Sequence, residues 1–316
     1  MKWPGGSLMR EQQQGVALIT AVLIVALVTT IAVAMASRQQ LDIRRSANVF
    51  DTDQAWLAVM GGEDYARNVL VEDSKNSGST DALDENWAQP VQFPFEEMVL
   101  SGVVEDMQGR FNINSLIDSS GNPVLKQQLR FQRLLTLLAL DPAIAQAVLD
   151  WLDKDINANL NGGAEDGDYM QQTPGYRAAN RLMASASELR LVSGVTAEVY
   201  EKLAPFVTAL PKPTSININT ASATVLAMLG DNLTLADGES LLSARDDSGF
   251  ESVAKFAQQP VFSGSSIDDI ASLDIKSDYF LLNAMTEFDH SRSQQFSLLE
   301  RQNGVVKVIM RGQGAY

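Results

Sequence analysis

The stretch Gly15-Val16-Ala17-Leu18-Ile19-Thr20 opens an apolar run that continues to Ala36 and decides how the chain is organised. The 21 residues from Val16 to Ala36 include no charged side chain, no glycine and no proline. A helix rises about 1.5 Å per residue, so this run spans about 30 Å, the thickness of the hydrocarbon core of a bilayer. The sequence therefore predicts a membrane-spanning helix over 16–36 that carries a large polar domain.

Three interpretations of this run stay open on its own residues. Ala34-Met35-Ala36 fits the cleavage pattern of a secretory signal peptide, although the run is longer than the usual apolar core of such peptides. An uncleaved anchor is the second interpretation, and the basic residues on both sides leave its orientation undecided. The third is a type IV prepilin-like leader over 1–15, cleaved after Gly15. Leaders of that class usually have Glu at the fifth mature position, where this chain has Thr20.

Composition excludes several kinds of site. The net charge of −15 over 316 residues disfavours binding to phosphate backbones, and hence to nucleic acid. The chain has no cysteine, so it has neither disulfides nor a cysteine metal site. Its one histidine, His290, excludes a centre built from several histidines, and we expect this side chain to be exposed and structural. A Ser-His-Asp triad would depend on this one residue.

Residues beyond the apolar run predict a continuing helix and then a sheet. From Ser37 to about Val71 there is no proline, and apolar residues recur at helical spacing; Gly61-Gly62 is a weak point, and 72–92 is expected to be a loop. Strand-like pieces occupy 97–114, and strands are predicted at 279–287, 294–301 and 305–310. Asn303-Gly304 predicts a hairpin between the last two strands.

The region between these strands is predicted to be helical. Candidate helices share apolar spacing at steps of three and four, and they cover 126–139, 142–153, 176–186, 197–203, 221–229 and 236–245. The fold class is therefore α+β, with a helix-plus-sheet domain over 37–114 and 277–316 and an all-α domain over 115–276 inserted in its sheet.

A short duplication runs through the inserted region. Phe111-Asn112-Ile113-Asn114-Ser115 recurs as Ile216-Asn217-Ile218-Asn219-Thr220, and each copy is followed by helices that end near acidic residues. The second copy also resembles helix-hairpin-helix DNA-binding modules. Its hairpin carries Asp231 and Asp237, which would repel a phosphate, so the pattern predicts a shared scaffold without DNA binding.

The acidic segment from Asp150 to Tyr169 is the strongest candidate for a metal site. Asp153-x-Asp155-x-Asn157 matches the start of an EF-hand loop, but the later positions do not follow that pattern. Because hard cations take oxygen ligands, we expect a calcium loop of another kind, with Asp153 and Asp155 on one wall and Glu165 and Asp168 closing it. A solvated acidic loop is the alternative, and a catalytic carboxylate pair is disfavoured because no nucleophile accompanies it.

These features together resemble the minor pseudopilin K family of the type II secretion system. The residues that carry the resemblance are a leader ending at Gly15 without the fifth-position Glu, the Asp-Trp-Leu-Asp-x-Asp segment with its Gly-Ala-Glu-Asp-x-Asp-Tyr continuation, and the two Asn-Ile-Asn segments. The resemblance covers the whole chain. It implies a type IV pilin-like long helix packed on an antiparallel sheet.

The resemblance also implies processing, location and partners. Prepilin peptidase would cleave after Gly15, and Val16 would become an N-methylated amino terminus in the inner membrane, with the globular part in the periplasm. The protein would join minor pseudopilins I and J, cap the tip of a pseudopilus built from the major pseudopilin, and help to start its assembly for export across the outer membrane. Calcium would be held by Asp153, Asp155, Glu165 and Asp168.

Thr20 fits a position at the tip. In a shaft the missing Glu would neutralise the amino terminus of a neighbouring subunit, because a buried unpaired charge costs several kcal/mol. A terminal subunit has no neighbour above it. The competing interpretations are a membrane-tethered or secreted calcium-dependent binding protein and a periplasmic hydrolase. A mature terminus at Ser37 rather than Val16 would favour either of these.

Overall fold

A computed structural model describes residues 8–76, 80–95, 98–246, 248–288 and 291–313. His290 and residues 1–7 of the predicted leader lie outside these ranges. The described residues form one long helix, a five-stranded sheet and a large inserted region, which is the arrangement that the sequence predicted. The predicted fold class is confirmed.

Helix α1 (Leu8–Asn76) is unbroken over 69 residues. It passes through Gly61-Gly62 without ending. A side chain at Gly62 would come within 3.2 Å of Leu100, so glycine allows the helix to approach the sheet closely here. The apolar run lies in the exposed part of this helix, which is long and apolar enough to cross a membrane. The opposite end packs on the sheet through Val59, Ala66 and Leu70, which are all buried.

The sheet is antiparallel with strand order β1-β2-β7-β8-β9. Its strands are β1 (Val91–Phe95), β2 (Met98–Asp106), β7 (Tyr279–Phe288), β8 (Ser291–Gln302) and β9 (Val305–Gln313). Alternation along β7 sends Phe280, Leu282 and Ala284 to the α1 face, and Tyr279 and Leu281 to the other. Strand β1 was not predicted, and the Asn303-Gly304 turn closes β8 on β9 as expected.

The chain leaves the sheet after Asp106 and returns at Tyr279. Between them lie two short parallel strand pairs, so the inserted region is not purely helical. The strands are β3 (Phe111–Asn112) with β4 (Val207–Thr208), and β5 (Ile216–Asn217) with β6 (Leu273–Asp274). Two residues per strand are too few to be detected as an alternating pattern.

Seven described helices surround these pairs and share one apolar core. They are α2 (Leu125–Leu137), α3 (Ile144–Leu152), α4 (Asp166–Tyr169), α5 (Ala197–Leu203), α6 (Ala223–Ala227), α7 (Leu235–Ala244) and α8 (Val253–Ala257). The helix predicted over 176–186 is wrong. The N–H of Ala178 donates to Asp166, and Asn180 has φ of 47°, so this segment follows the acidic loop instead.

The asparagines of the two Asn-x-Asn segments make equivalent hydrogen bonds in both halves of the insertion. Asn112 and Asn217 each accept the N–H two residues on, at 3.1 and 2.9 Å. Asn114 makes a two-way amide pair with the backbone of Met183, and Asn219 makes the same pair with Phe250. Each Asn-x-Asn segment thereby fixes a turn and fastens it to a distant loop.

Candidate functional site

The acidic loop begins where α3 ends at Leu152 and finishes where α4 begins at Asp166. Its shape depends on Asp150, which is fully buried in the last turn of α3. The carboxylate of Asp150 accepts the backbone N–H of Asn159 at 3.0 Å and also its side-chain amide. A side chain at Gly163 would meet the Asp150 carboxylate at 2.3 Å, so only glycine fits where the loop closes on it.

Three carboxylates meet at the mouth of this loop, and we call Asp153, Asp155 and Glu165 the loop cluster. One oxygen of each lies within 4.8 Å of the others. Asp153 and Glu165 are each only 5% exposed. Asp153 Oδ1 and both carboxylate oxygens of Glu165 are buried without a hydrogen-bond partner among the described residues. Buried carboxylate oxygens are almost always paired, so the loop cluster has the geometry that fits a bound cation or donor.

The electrostatics of the loop cluster agree with its geometry. Burial and the neighbouring charges of Asp155 and Asp150 raise the pKa of Asp153 to about 6. Burial and the charges of Asp150 and Asp153 raise the pKa of Glu165 to about 7. Both shifts have the sign produced when negative groups are held together away from water. A divalent cation with oxygen coordination would neutralise this charge and use the unpaired oxygens, which fits calcium.

Asp168 does not join the loop cluster. Its side chain is exposed, and its Oδ2 accepts the backbone N–H of Glu165 at 3.1 Å, which caps the first turn of α4. The sequence prediction put Asp168 at the same end of the loop as Glu165. In the structure its carboxylate caps helix α4 instead of joining the loop cluster. Its spacing of three from Glu165 is typical of a capping box, and that signal competes with a ligand role.

Sequence reasoning missed Asn180. Its side-chain amide donates to the carbonyl of Asp155 at 3.2 Å, while its own Oδ1 is buried and has no hydrogen-bond partner among the residues that the structure describes. No local pattern marks Asn180, which lies 25 positions from Asp155. Behind the loop, Trp151 packs edge-on against Tyr169 with ring centroids 5.1 Å apart, and Tyr169 stacks on Tyr176 at 5.4 Å.

A second group of three carboxylates lies where α1, the sheet and the insertion meet. We call Asp73, Asp81 and Glu85 the junction cluster; one oxygen of each also lies within 4.8 Å of the others. Here Arg301 supplies the cation. Its Nη1 donates to Asp73 at 2.8 Å, and its Nη2 donates to both oxygens of Asp81 at 2.5 and 2.6 Å. The Trp87 indole donates to Glu85 at 2.6 Å.

The junction cluster is also buried enough to shift its pKa values. Burial opposes the charge on Arg301, but Asp81 and Asp73 outweigh it and raise the pKa of this guanidinium. Burial raises the pKa of Asp81 to about 6 against the effect of Arg301. Burial, together with the charge of Asp73, raises the pKa of Glu85 to about 7. This cluster was not predicted, because Asp81 and Arg301 lie 220 positions apart.

The predicted processing site lies inside α1. Gly15 is exposed in the helix, and Val16 is 63% exposed. The hydroxyl of Thr20 donates to the carbonyls of Val16 at 3.1 Å and Ala17 at 3.0 Å. Thr20 is therefore satisfied within its own helix, whereas Glu at this position would require a partner.

Comparison with known proteins gives one consistent answer. Two family models, both described as Type II secretion system (T2SS), protein K, match residues 109–212 and 216–276. These matches divide the insertion between its two Asn-x-Asn halves.

Relatives named Type II secretion system protein K align along nearly the whole chain. The protein from Pseudomonas aeruginosa is 38% identical over 97% of this chain and 94% of its own. The protein from Aeromonas hydrophila is 35% identical over 95% of this chain and 97% of its own. Among solved structures, the GspK-GspI-GspJ complex of enterotoxigenic Escherichia coli contains a chain that matches with a TM-score of 0.76 and 26% identity. That match covers 86% of this chain and 100% of the other.

Proposed function

From the membership of this chain in the type II secretion system protein K family, which makes it a minor pseudopilin of that system, we propose that it caps the pseudopilus tip and helps to start assembly. The observation that carries this proposal is the structural match to a chain solved together with GspI and GspJ. The role is mechanical and needs no catalysis. Minor pseudopilins I and J are the expected partners.

The shape of the molecule supports an end position. The insertion occupies the chain between Asp106 and Tyr279, and it has a core of its own beside the sheet. Such a bulk would obstruct the repeated contacts of a helical shaft. Thr20 adds a second argument, because a subunit without an acid there cannot neutralise the terminus of a neighbour in the shaft.

The surface we propose for the partner helices is the outward stripe, defined as Ile43, Phe50 and Leu57. These residues recur every seven positions and are 60%, 63% and 61% exposed. Leu57 and Val59, which packs on the sheet, are two positions apart and so about 200° apart around the helix. The stripe therefore faces away from the sheet of its own chain. A seven-residue apolar repeat is typical of helix-helix seams.

Co-purification of the full-length protein with minor pseudopilins I and J tests this surface. Phe50→Glu should reduce recovery of the complex at least tenfold, because it puts a charge in the centre of an apolar seam. Leu125→Glu is the matched control, since Leu125 is 67% exposed on the insertion and should not alter recovery. Equal recovery from both variants would reject the outward stripe as the contact.

For processing and location, we propose cleavage by prepilin peptidase after Gly15, N-methylation of Val16, and anchoring in the inner membrane with the globular part in the periplasm. Contact with the major pseudopilin would follow assembly. The apolar, exposed end of α1 supports a single-pass anchor. Mass spectrometry of the mature amino terminus is the test. A methylated Val16 is expected, and a chain beginning at Ser37 would overturn this proposal.

We further propose that the loop cluster holds calcium, with Asp153, Asp155 and Glu165 as carboxylate ligands and Asp168 as the weakest of the predicted four. The bound ion would supply positive charge to oxygens that have no hydrogen-bond partner in the described parts of the chain. Titration calorimetry of the full-length protein with calcium should show binding that Glu165→Gln removes. Glu85→Gln, in the junction cluster, is the matched control and should bind calcium as the wild type does. Unchanged binding by Glu165→Gln would reject this ligand set.

A further inference from the structure

Three arginines follow the apolar run on a part of α1 that packs against nothing in the described chain. Arg38, Arg44 and Arg45 are all exposed. Arg45 lies 3.9 Å from Asp42, but the two side chains are 80% and 74% exposed, so this pair contributes little. Arg38 and Arg44 form no ion pair with any residue in the described ranges. We call these three residues the arginine collar.

The unbroken helix fixes how far the arginine collar lies from the apolar run. Arg38 is two residues beyond Ala36, or about 3 Å along the axis, and Arg44 and Arg45 are about 12 to 14 Å along it. The headgroup layer on each side of a bilayer is about 5 to 8 Å thick. Arg38 therefore lies within that layer. Arg44 and Arg45 lie just outside it, and their long side chains can extend back toward it.

Charge along this helix is segregated. Within residues 37–50 the only acidic side chain is Asp42. Residues 51–64 contain no basic side chain and four acidic ones, Asp51, Asp53, Glu63 and Asp64. The chain as a whole has a charge of −15, which repels an anionic surface. The arginine collar is locally basic, and it lies next to the segment that enters the membrane.

Basic residues are usually kept on the cytoplasmic side of a membrane. In the proposed topology the arginine collar is on the other side, and cleavage after Gly15 removes Lys2 and Arg10 from the cytoplasmic flank. Arginines on the far side of the membrane run against this preference for the cytoplasmic side. An anionic partner beside the bilayer would offset the cost of placing them there. Guanidinium groups bind phosphate through paired hydrogen bonds, and phospholipid headgroups carry phosphate at this depth.

We propose that Arg38, Arg44 and Arg45 bind the headgroup phosphates of anionic phospholipids in the leaflet that faces the globular domain. The collar then selects anionic lipids around the anchor before the subunit enters the pseudopilus. This inference rests on the proposed function, because it requires the mature helix to remain in the membrane.

The absence of cysteine from the chain allows a direct test. Mature protein that begins at Val16 and carries Ser46→Cys is labelled with a fluorophore beside the arginine collar and reconstituted in phosphatidylcholine vesicles. A small fraction of either phosphatidylglycerol or phosphatidylcholine bears the same energy-transfer quencher on its acyl chain, because Ser46 lies about 15 Å along the helix beyond the apolar run, out of reach of a contact quencher. Phosphatidylglycerol should quench about fivefold more effectively than phosphatidylcholine, and about 0.5 M salt should reduce this preference.

Charge-matched variants decide the result. Arg38→Gln, Arg44→Gln and Arg45→Gln combined should bring the two quenchers to equality. Lys202→Gln, Lys255→Gln and Lys307→Gln combined remove the same charge from exposed sites on the globular part and should keep the preference. A preference that survives loss of the collar overturns the proposal, as does equality in the wild type. If loss of the collar instead reduces only recovery of minor pseudopilins I and J, its partner is protein. If neither quencher-bearing lipid lowers the fluorescence, the helix is not in the membrane, and the proposed anchoring is overturned together with this inference.

Discussion

The loop cluster and the junction cluster contain the same kinds of side chain, two aspartates and one glutamate, yet they are neutralised differently. In the junction cluster Arg301 donates to Asp73 and Asp81. In the loop cluster Asp153 and Glu165 have buried oxygens with no donor among the described residues. In the junction cluster the cation is a side chain of the protein itself, whereas under the calcium proposal the loop cluster takes its cation from solution. We therefore expect the junction cluster to be insensitive to the ions in solution and the loop cluster to depend on them.

The largest expected effect is at Arg301. Arg301→Gln leaves Asp81 buried without its cation, which should cost about 3 to 5 kcal/mol of unfolding free energy. Denaturant unfolding of the full-length protein in detergent measures this. Arg292→Gln is the control, because that side chain is 60% exposed and lies 3.9 Å from Glu287, and it should cost less than about 1 kcal/mol. Equal costs would mean that the junction cluster does not depend on its internal cation.

The second prediction concerns the external cation. With calcium at 100 times its dissociation constant, the protein should gain about 2.7 kcal/mol over the chelated form, because the ion binds only the folded state. Thermal unfolding with calcium or with a chelator measures the gain. Glu165→Gln should abolish it, and Glu85→Gln should retain it. If a chelator lowers the stability of Glu165→Gln as much as that of the wild type, calcium acts elsewhere.

The third prediction uses the raised pKa of Glu85. Because its pKa is about 7 in the folded protein and 4.5 in model compounds, the folded state keeps a proton that the unfolded state loses. The resulting stabilisation is complete below the unfolded pKa and is lost as pH rises through about 7.

Wild-type unfolding free energy should therefore fall relative to that of Glu85→Gln between pH 5 and pH 8. The expected difference is about 1 kcal/mol, since the carboxyl group is only partly buried. Calcium is kept saturating throughout, so that the loop cluster does not contribute. Parallel pH profiles for the two proteins would show that Glu85 does not titrate in this range.

The contrast between the clusters also explains what the sequence could predict. The loop cluster falls within 13 consecutive residues, so spacing alone indicated Asp153, Asp155 and Glu165. The junction cluster joins residues 73–85 to Arg301, and no local pattern connects them. The long helix, the final hairpin and the insertion were predictable for the same reason, since each is periodic or contiguous. The two-residue strands were not, because pairing with distant segments creates them. Strand β1 pairs with the adjacent β2, but Pro94 in its interior disfavours a strand prediction.

The smallest expected effect would settle whether Asp168 belongs to the loop cluster. Its Oδ2 already accepts the N–H of Glu165, and the side-chain oxygen of Asn could do the same. Asp168→Asn should therefore keep the helix cap and weaken calcium binding less than about fivefold, since an exposed charge contributes under about 1 kcal/mol. Asp153→Asn, which alters a buried oxygen without a partner, should weaken it more than about 100-fold. Calorimetry of both variants ranks the two carboxylates directly. Similar losses would make Asp168 a ligand and would mean that the cap releases its carboxylate when calcium binds.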